Sequence, residues 1–212
     1  MLASYSANYR DQFGEETTTI RNDGKTLTMV VRGVEFASTM LDDWESVSPD
    51  SDLSLFNLHH GMLSSFSLDF AISMPVVDAA ESVNYAILQV HLALGWPVAN
   101  NSFQLELTIE GNSFKSCGKH GWFEDELVEI HSQLPKGTFI KSCFTCAYSD
   151  YCPAGNGAFG CMACFRNTKA EYHALKGKDA YFRLMDKIAE FVQETYLCPE
   201  FERRTPGTGY RG

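Results

Sequence analysis

Residues 66–74 read FSLDFAISM, in which bulky apolar side chains alternate strictly with small or polar ones. A period of two places the two sets on opposite faces of a β-strand, so this stretch predicts a strand with one buried face. Pro75 follows directly and is expected to end the strand, because proline has no backbone N–H to donate to a neighbouring strand. The stretch therefore predicts a sheet that is buried on one side.

The same alternation recurs on both sides of this stretch. Residues 88–94 and 103–109 alternate, with a turn expected at Asn100 and Asn101, so they are predicted to be neighbouring strands. Residues 83–90 are ambiguous, since they also fit a helical stripe. Residues 17–21 and 26–31 flank an Asp-Gly pair, which favours a tight hairpin turn. Residues 1–112 are therefore predicted to be the β-rich part of the chain.

Helical spacing appears later. Phe123, Leu127, Ile130 and Leu134 are spaced for one helix face, which predicts a helix within residues 121–135. An apolar stripe predicts a second, longer helix over residues 179–195, within a helical part at residues 168–197 that packs on the sheet. With no internal repeat or low-complexity linker, the chain is predicted to be a single α+β domain over residues 1–212.

Charge and hydropathy limit the classes of partner. The chain has 17 Lys and Arg against 27 Asp and Glu, a formal charge of -10, which disfavours nucleic acid or an anionic membrane as the main partner. Another protein, favoured to be basic, is the expected partner. The sequence has no secretory signal pattern and no run of roughly 20 apolar residues, so a soluble, cytoplasmic protein is expected.

The chemistry of the chain is concentrated in its cysteines. Cys143 and Cys146 form one CxxC pair, and Cys161 and Cys164 form a second. Two such pairs can supply the four corners of a tetrahedral thiolate site, so residues 140–167 are predicted to be a cysteine-rich loop that holds a structural Zn²⁺. These four cysteines are the preferred ligands, and the variants replace Cys161 with Cys198 or Cys152.

Other interpretations of the cysteines stay open. Cys152 follows the first CxxC pair closely enough to suggest an iron–sulfur cluster, and Cys143 with Cys146 could be a redox dithiol. Free buried cysteines without metal are a further alternative. His59, His60, His91, His120 and His131 are predicted to be surface groups. The acidic run of Glu124, Asp125, Glu126 and Glu129 is predicted to be a solvated helix face or, alternatively, a patch that meets a basic partner. No hydrolase, metalloprotease, P-loop or dinucleotide motif occurs, so the sequence gives no support for catalysis.

The C-terminal tail, residues 198–212, is polar and glycine-rich towards its end. Its composition predicts an extended segment that is either frayed or simply packed on the rest of the chain. Its last residue, Gly212, follows an arginine-bearing stretch, a form also seen in tails that are threaded into enzymes or conjugated.

Several strings together resemble an uncharacterised family of bacterial cytosolic proteins with no assigned activity. They are VRGVEF at 31–36, GWFED at 121–125, CFTCAYSDY at 143–151, FGCMACFRN at 159–167 and QETYLCPEFERRTPGTGYRG at 193–212. The resemblance implies that Cys143, Cys146, Cys164 and Cys198 are the emphasised cysteines. It would make Cys152 and Cys161 bystanders, and it would tie an ordered C-terminal tail to the metal loop through Cys198.

The sequence thus predicts a non-enzymatic, zinc-stapled protein that binds another protein. An immunity or antitoxin role against a basic bacterial toxin would suit its size and charge. The alternatives are a metal- or thiol-dependent enzyme, in which Cys152 or a histidine completes an open site, and a component of a peptide-modification or conjugation system that uses Gly212.

Overall fold

A computed structural model describes residues 3–95, 101–153, 155 and 157–210 of the chain. The chain packs as two compact units, the first from Met1–Ser73 and Tyr85–Pro135 and the second from Met74–Asn84 and Lys136–Gly212. The structure is α+β, mostly antiparallel sheet with a few helices. Whether the two units fold as one domain stays a prediction, because compact packing does not show which parts unfold together.

The first unit is built on an antiparallel sheet in which most strands lie beside their neighbours in sequence. The strands are β1 (Ala3–Asp11), β2 (Gly14–Asn22), β3 (Leu27–Val31), β4 (Val34–Ser38), β5 (Glu45–Ser46), β6 (Leu58–His59), β7 (Met62–Leu63), β8 (Phe66–Val77), β9 (Val83–Leu94), β10 (Ser102–Ile109) and β11 (Asn112–Lys115). Their order across the sheet is β11-β10-β9-β8-β1-β2-β3-β4-β5-β7-β6. The predicted β-rich sheet is confirmed.

The predicted hairpin joins β2 to β3. The Asp23 carboxylate accepts hydrogen bonds from the backbone N–H groups of Lys25, at 2.8 Å, and Thr26, at 2.7 Å. Gly24 has a φ of 96°, a backbone angle that side-chain-bearing residues rarely adopt. Local turn chemistry therefore sets the register that pairs Arg21 with Thr28.

Strands β9 and β10 pair as predicted, with Val90 opposite Leu105 and Leu88 opposite Leu107, all completely buried. The ambiguous residues before Leu88 belong to β9, so the helical alternative for them is wrong. Of the two asparagines in the predicted turn, Asn100 lies outside the described residues.

Pro75 does not end its strand, because β8 continues to Val77. A residue in an antiparallel strand directs its N–H and C=O to the same side. The Pro75 carbonyl accepts a hydrogen bond from Lys141 N at 2.8 Å, so its missing donor faces that side of the strand. The two residues that follow Pro75 pair with Phe139–Ile140 and not with β1. The sheet tolerates the proline because its missing donor faces this short pairing and takes no hydrogen bond from the pairing with β1.

The predicted helix within residues 121–135 is α1, Phe123–Gln133, and it packs on β10 and β11 through Leu127 and Ile130. One expectation about its polar face is wrong. The Glu126 side chain is fully buried instead of solvated, and its carboxylate accepts the backbone N–H groups of Gly118 at 2.9 Å and His120 at 2.8 Å.

The second unit contains short elements. They are β12 (Phe139–Ile140), β13 (Ser149–Asp150), β14 (Met162–Cys164), α2 (Lys169–His173), α3 (Lys178–Leu184) and β15 (Glu190–Val192). A three-stranded antiparallel sheet has the order β13-β14-β15. Phe165 stacks on Tyr172 and meets Tyr181 edge-on, and these three fully buried rings form an aromatic core.

The long helix predicted over residues 179–195 is wrong. Helix α3 ends at Leu184, and β15 pairs instead with β14, placing Val192 opposite Met162. Aromatic and β-branched residues such as Phe191 and Val192 favour extended structure, and the free edge of β14 supplies backbone partners that a helix would not. The apolar residues at helical spacing therefore belong to two different elements, a short helix and a strand that follows it.

Arg32 and Asp11 form a buried ion pair in the first unit. The Arg32 guanidinium donates two hydrogen bonds, of 2.7 and 2.8 Å, to the Asp11 carboxylate, and the Asp11 side chain is 0% exposed. Burial alone would raise the pKa of Asp11, but the hydrogen bonds from Arg32, Phe13 N–H and the Tyr9 hydroxyl outweigh it and lower that pKa.

We expect Arg32→Ala to destabilise the protein by about 3 kcal/mol, because it leaves a buried carboxylate without its cation. Urea unfolding at neutral pH checks this value. Since the pKa of Asp11 is lowered on folding, the pair's contribution is present above the unfolded pKa of about 3.9 and is lost as pH falls through the folded value. The difference in the free energy of unfolding between wild type and Arg32→Ala should therefore become smaller at acid pH.

Arg10→Ala is the matched control, since Arg10 pairs with Glu15 on an exposed surface, with side chains 58% and 53% exposed. It should cost no more than about 1 kcal/mol. Equal losses of unfolding free energy in Arg32→Ala and Arg10→Ala would show that the buried ion pair stabilises the protein no more than the exposed one.

Candidate metal centre

Four of the six cysteines in the second unit are deeply buried. Cys143 is 2% exposed, Cys146 and Cys164 are 5% exposed, and Cys198 is 7% exposed. A 3₁₀ turn at Cys143–Thr145 links the first two, and the backbone N–H of Cys146 donates to the Cys143 carbonyl at 3.1 Å. Cys164 ends β14, and Cys198 begins the C-terminal tail.

The buried sulfurs act on one another electrostatically. Burial raises the pKa of Cys143, and the neighbouring sulfurs of Cys146, Cys164 and Cys198 raise it further. A thiolate among other sulfurs is unfavourable without a cation, so Cys143 is held in its neutral thiol form. The structure therefore brings together cysteines from the first CxxC pair, the second CxxC pair and the tail.

Two of these sulfurs accept hydrogen bonds that favour the thiolate. Burial raises the pKa of Cys164, while the backbone N–H and the guanidinium of Arg166 lower it. The backbone N–H of Glu200 donates to Cys198 Sγ at 3.4 Å. In each case the donor lies two residues after the cysteine. Hydrogen bonds of this kind compensate a thiolate that binds a metal.

The remaining two cysteines of this unit have different surroundings. Cys152 and Cys161 are both partly exposed. Cys161 Sγ accepts a hydrogen bond from Gly157 N at 3.3 Å, within the glycine-rich segment between the CxxC pairs. The structure therefore places the preferred ligand Cys161 in a different environment from Cys143, Cys146 and Cys164.

The four buried sulfurs are grouped more loosely than a bound zinc would require. In the part of the chain that the structure describes, one group of Cys, His, Asp or Glu has ligand atoms that all lie within 4.8 Å of one another, and it belongs to the first unit: Cys117, His120, Glu126 and Glu129. Zinc–sulfur bonds of about 2.3 Å would draw the four sulfurs closer together.

The C-terminal tail is ordered rather than frayed through residue 210. Its backbone runs beside the first CxxC turn, where Ala147 N donates to Glu202 O at 2.7 Å and Arg204 N donates to Thr145 O at 2.9 Å. Gly209 contacts the Tyr172 ring so closely that an added Cβ would lie 2.6 Å from it. Of the two alternatives expected from composition, the frayed tail is therefore wrong for these residues and the packed tail is the one observed, because backbone pairing and packing hold them. Gly212 lies outside the described residues.

Arg204 anchors the tail. Its guanidinium donates to the carbonyls of Cys146, at 2.9 Å, and Ser149, and to the Tyr172 hydroxyl at 3.1 Å. The Tyr172 hydroxyl donates in turn to Asp150, which is 1% exposed. Burial and Asp150 raise the pKa of Tyr172, partly offset by Arg204, so its hydroxyl stays a donor at neutral pH. The network fixes the backbone that carries Cys146.

Sequence reasoning missed this network and the buried Glu126. Tyr172 lies outside the motifs, and the short α2 that carries it has too few turns to give a periodic signal. Arg204 was assigned to a frayed or simply packed tail by its polar context, with no role of its own. The nearest signal was the resemblance, which implied that the C-terminal tail is ordered.

We expect Arg204→Ala to release the tail, because Cys146 and Ser149 lose a donor to their buried carbonyls. Limited proteolysis should cut the variant after residue 198 much faster than wild type, with a loss of stability of about 1–3 kcal/mol. Arg183→Ala, an equal change of charge at an exposed site on α3, is the control and should leave the cleavage rate unchanged. Equally rapid cutting of wild type would contradict an ordered tail.

Comparisons with known proteins identify a family but no activity. No helix among the described residues has the length and apolar content needed to cross a membrane. No curated protein matches the chain. No solved structure matches it either. A family model described as a family of unknown function, DUF6304, matches residues 3–149, which include Cys117, Cys143 and Cys146 and stop short of Cys152, Cys161, Cys164 and Cys198. Because the match covers more than half of the chain, the protein belongs to the DUF6304 family of unknown function.

Proposed function

We propose that the second unit holds a structural Zn²⁺ through Cys143, Cys146, Cys164 and Cys198. The observation that carries the proposal is geometric: all four cysteines are buried, Cys143, Cys164 and Cys198 pack in one cluster, and Cys146 follows Cys143 in the same tight turn. Four neutral thiols can lose their protons to a dication, which replaces their mutual repulsion with attraction. Cys198 takes the place of Cys161 because Cys161 is partly exposed, whereas Cys198 is buried and packs in one cluster with Cys143 and Cys164.

The second unit needs such a staple. Its sheet has strands of two or three residues, well below the usual length, and its helices α2 and α3 have five and seven residues. Zinc binding in small domains is worth on the order of 10 kcal/mol, which is comparable to the whole stability of a typical domain. The ion would link the CxxC turn, β14 and the tail.

Burial of the ligands favours a structural role over a catalytic one. A catalytic zinc keeps one position open for water or substrate, whereas four buried thiolates close the coordination sphere. The four cysteines here are at most 7% exposed. Activity is therefore assigned to the surface of the protein and not to the ion.

After treatment with a mild chelator, purified protein should retain one equivalent of tightly bound zinc by elemental analysis. We expect single Cys→Ser changes at positions 143, 146, 164 and 198 to lose the zinc and the cooperative unfolding of the second unit, because a three-ligand site binds less tightly. Circular dichroism and protease resistance report the folding.

Cys152→Ser and Cys161→Ser are the matched controls and should keep the zinc. Loss of zinc from Cys161→Ser with full retention in Cys198→Ser would restore the two CxxC pairs as the ligand set. Bound iron in place of zinc would contradict the proposal outright.

The proposed activity is recognition of a basic protein. Between Arg32 and Lys115 the chain has eleven Asp and Glu and no Lys or Arg. The acidic segment, residues 42–58, combines exposed Glu45, Asp50 and Asp52 with the exposed apolar side chains of Val47 and Leu55, which are 54% and 52% exposed. Acidic groups around apolar side chains suit a basic protein surface, as an immunity or antitoxin protein against a basic toxin would require.

Neutralising the acidic segment tests this activity. Immobilised wild-type protein should retain basic proteins from an extract of the source cells, and the retention should weaken as salt rises. The triple variant Glu45→Gln, Asp50→Asn, Asp52→Asn should lose the same proteins. A control that neutralises Glu15, Asp125 and Glu171 should keep them, and equal loss from both variants would reduce the effect to net charge.

A further inference from the structure

We propose that the first unit holds a second metal site, independent of the four buried sulfurs, formed by Cys117, His120, Glu126 and Glu129. These residues are named the mixed-donor cluster. Their ligand atoms all lie within 4.8 Å of one another without any metal present. The site would take a dication of intermediate softness, for which Zn²⁺ is the representative.

The local fold brings the four donors together. Cys117 and His120 lie on the loop between β11 and α1, and Glu126 and Glu129 are one turn apart on α1. Residues three apart on a helix project from the same side, so both carboxylates face the loop. Glu129 Oε2 accepts Cys117 N at 2.8 Å and contacts His120 Nε2 at 3.3 Å.

Glu126 gives the cluster an excess of buried negative charge. Its side chain is fully buried, and none of the ion pairs found among the described residues joins it to a Lys or Arg. The N–H groups of Gly118 and His120 satisfy one lone pair on each carboxylate oxygen and leave a second lone pair available. Those groups supply dipoles but no full charge, and a bound dication would supply the missing positive charge.

The donor types indicate the kind of metal. One thiolate, one imidazole and two carboxylates combine soft, intermediate and hard ligands, which suits Zn²⁺ better than Mg²⁺ or Ca²⁺, since these prefer oxygen alone. Cys117 and His120 are exposed, so an ion here would exchange with solvent. The site would be the accessible one of two, and a metal bound there would clamp the loop onto α1.

Cys117 provides a direct readout, because it is the first unit's single cysteine. Full-length protein is treated with a mild chelator and then with iodoacetamide at a series of Zn²⁺ concentrations, and the alkylation of each cysteine is followed by peptide mass spectrometry. With Zn²⁺ at ten times its dissociation constant, mass action leaves about a tenth of Cys117 free, so its alkylation should slow about tenfold.

Variants at the surface of the cluster identify the ligands. His120→Ala and Glu129→Gln should weaken the Zn²⁺ protection of Cys117 by more than about tenfold in concentration, since even an outer-shell partner contributes that much. Asp125→Asn, an exposed acid on the same helix, is the matched control and should keep the protection. Circular dichroism verifies that each variant is folded.

Two outcomes would overturn the proposal: Cys117 alkylation that is equally fast with and without Zn²⁺, and protection that survives in both ligand variants. The result is separable from that of the four-sulfur site. Protection of Cys117 should persist in Cys198→Ser, whose proposed effect is confined to the second unit.

Discussion

The burial of four cysteine side chains constrains the second unit. They come from a CxxC turn, the end of a strand and the start of the tail, and each is at most 7% exposed. Neutral thiols tolerate that burial, whereas thiolates require a cation. Around them the short strands and helices bury further apolar side chains, and the rings of Phe165, Tyr172 and Tyr181 pack against one another. The segments that carry the four cysteines are held in place by these contacts and by backbone hydrogen bonds.

Arg204 shows how this constraint extends through the backbone. It has no direct contact with sulfur among its hydrogen bonds, yet it holds the carbonyls of Cys146 and Ser149. The Tyr172 hydroxyl then passes the interaction to Asp150 on β13. Each side chain of this network is hydrogen-bonded to the next, so polar groups help to position the backbone of Cys146, in addition to the proposed metal.

The sheet of the first unit was predictable because local sequence signals specify it. In its strands apolar and polar residues alternate with a period of two, and the Asp23-Gly24 pair favours a tight turn. The second unit was less predictable for a physical reason. Its strands have at most three residues, so Phe191 and Val192 show no period and also fit a helix. Glu126 was missed because a charged residue on a helix face is usually solvated, and its burial depends on backbone donors in a loop. The sequence left Cys161 and Cys198 as alternatives for the same metal-ligand position. Their different burial is a property of the tertiary structure and has no local sequence signal.

The backbone pairing of residues 202–204 with the CxxC turn has a consequence during synthesis. Arg204 is translated 58 residues after Cys146, so the second unit cannot assume its final arrangement until the segment through residue 204 has left the ribosome. The hairpin tip at Met74–Asn84 belongs to the same unit and emerges far earlier. The nascent chain must therefore keep that tip, and the thiols of the CxxC turn, from aggregation and oxidation until their last partners arrive.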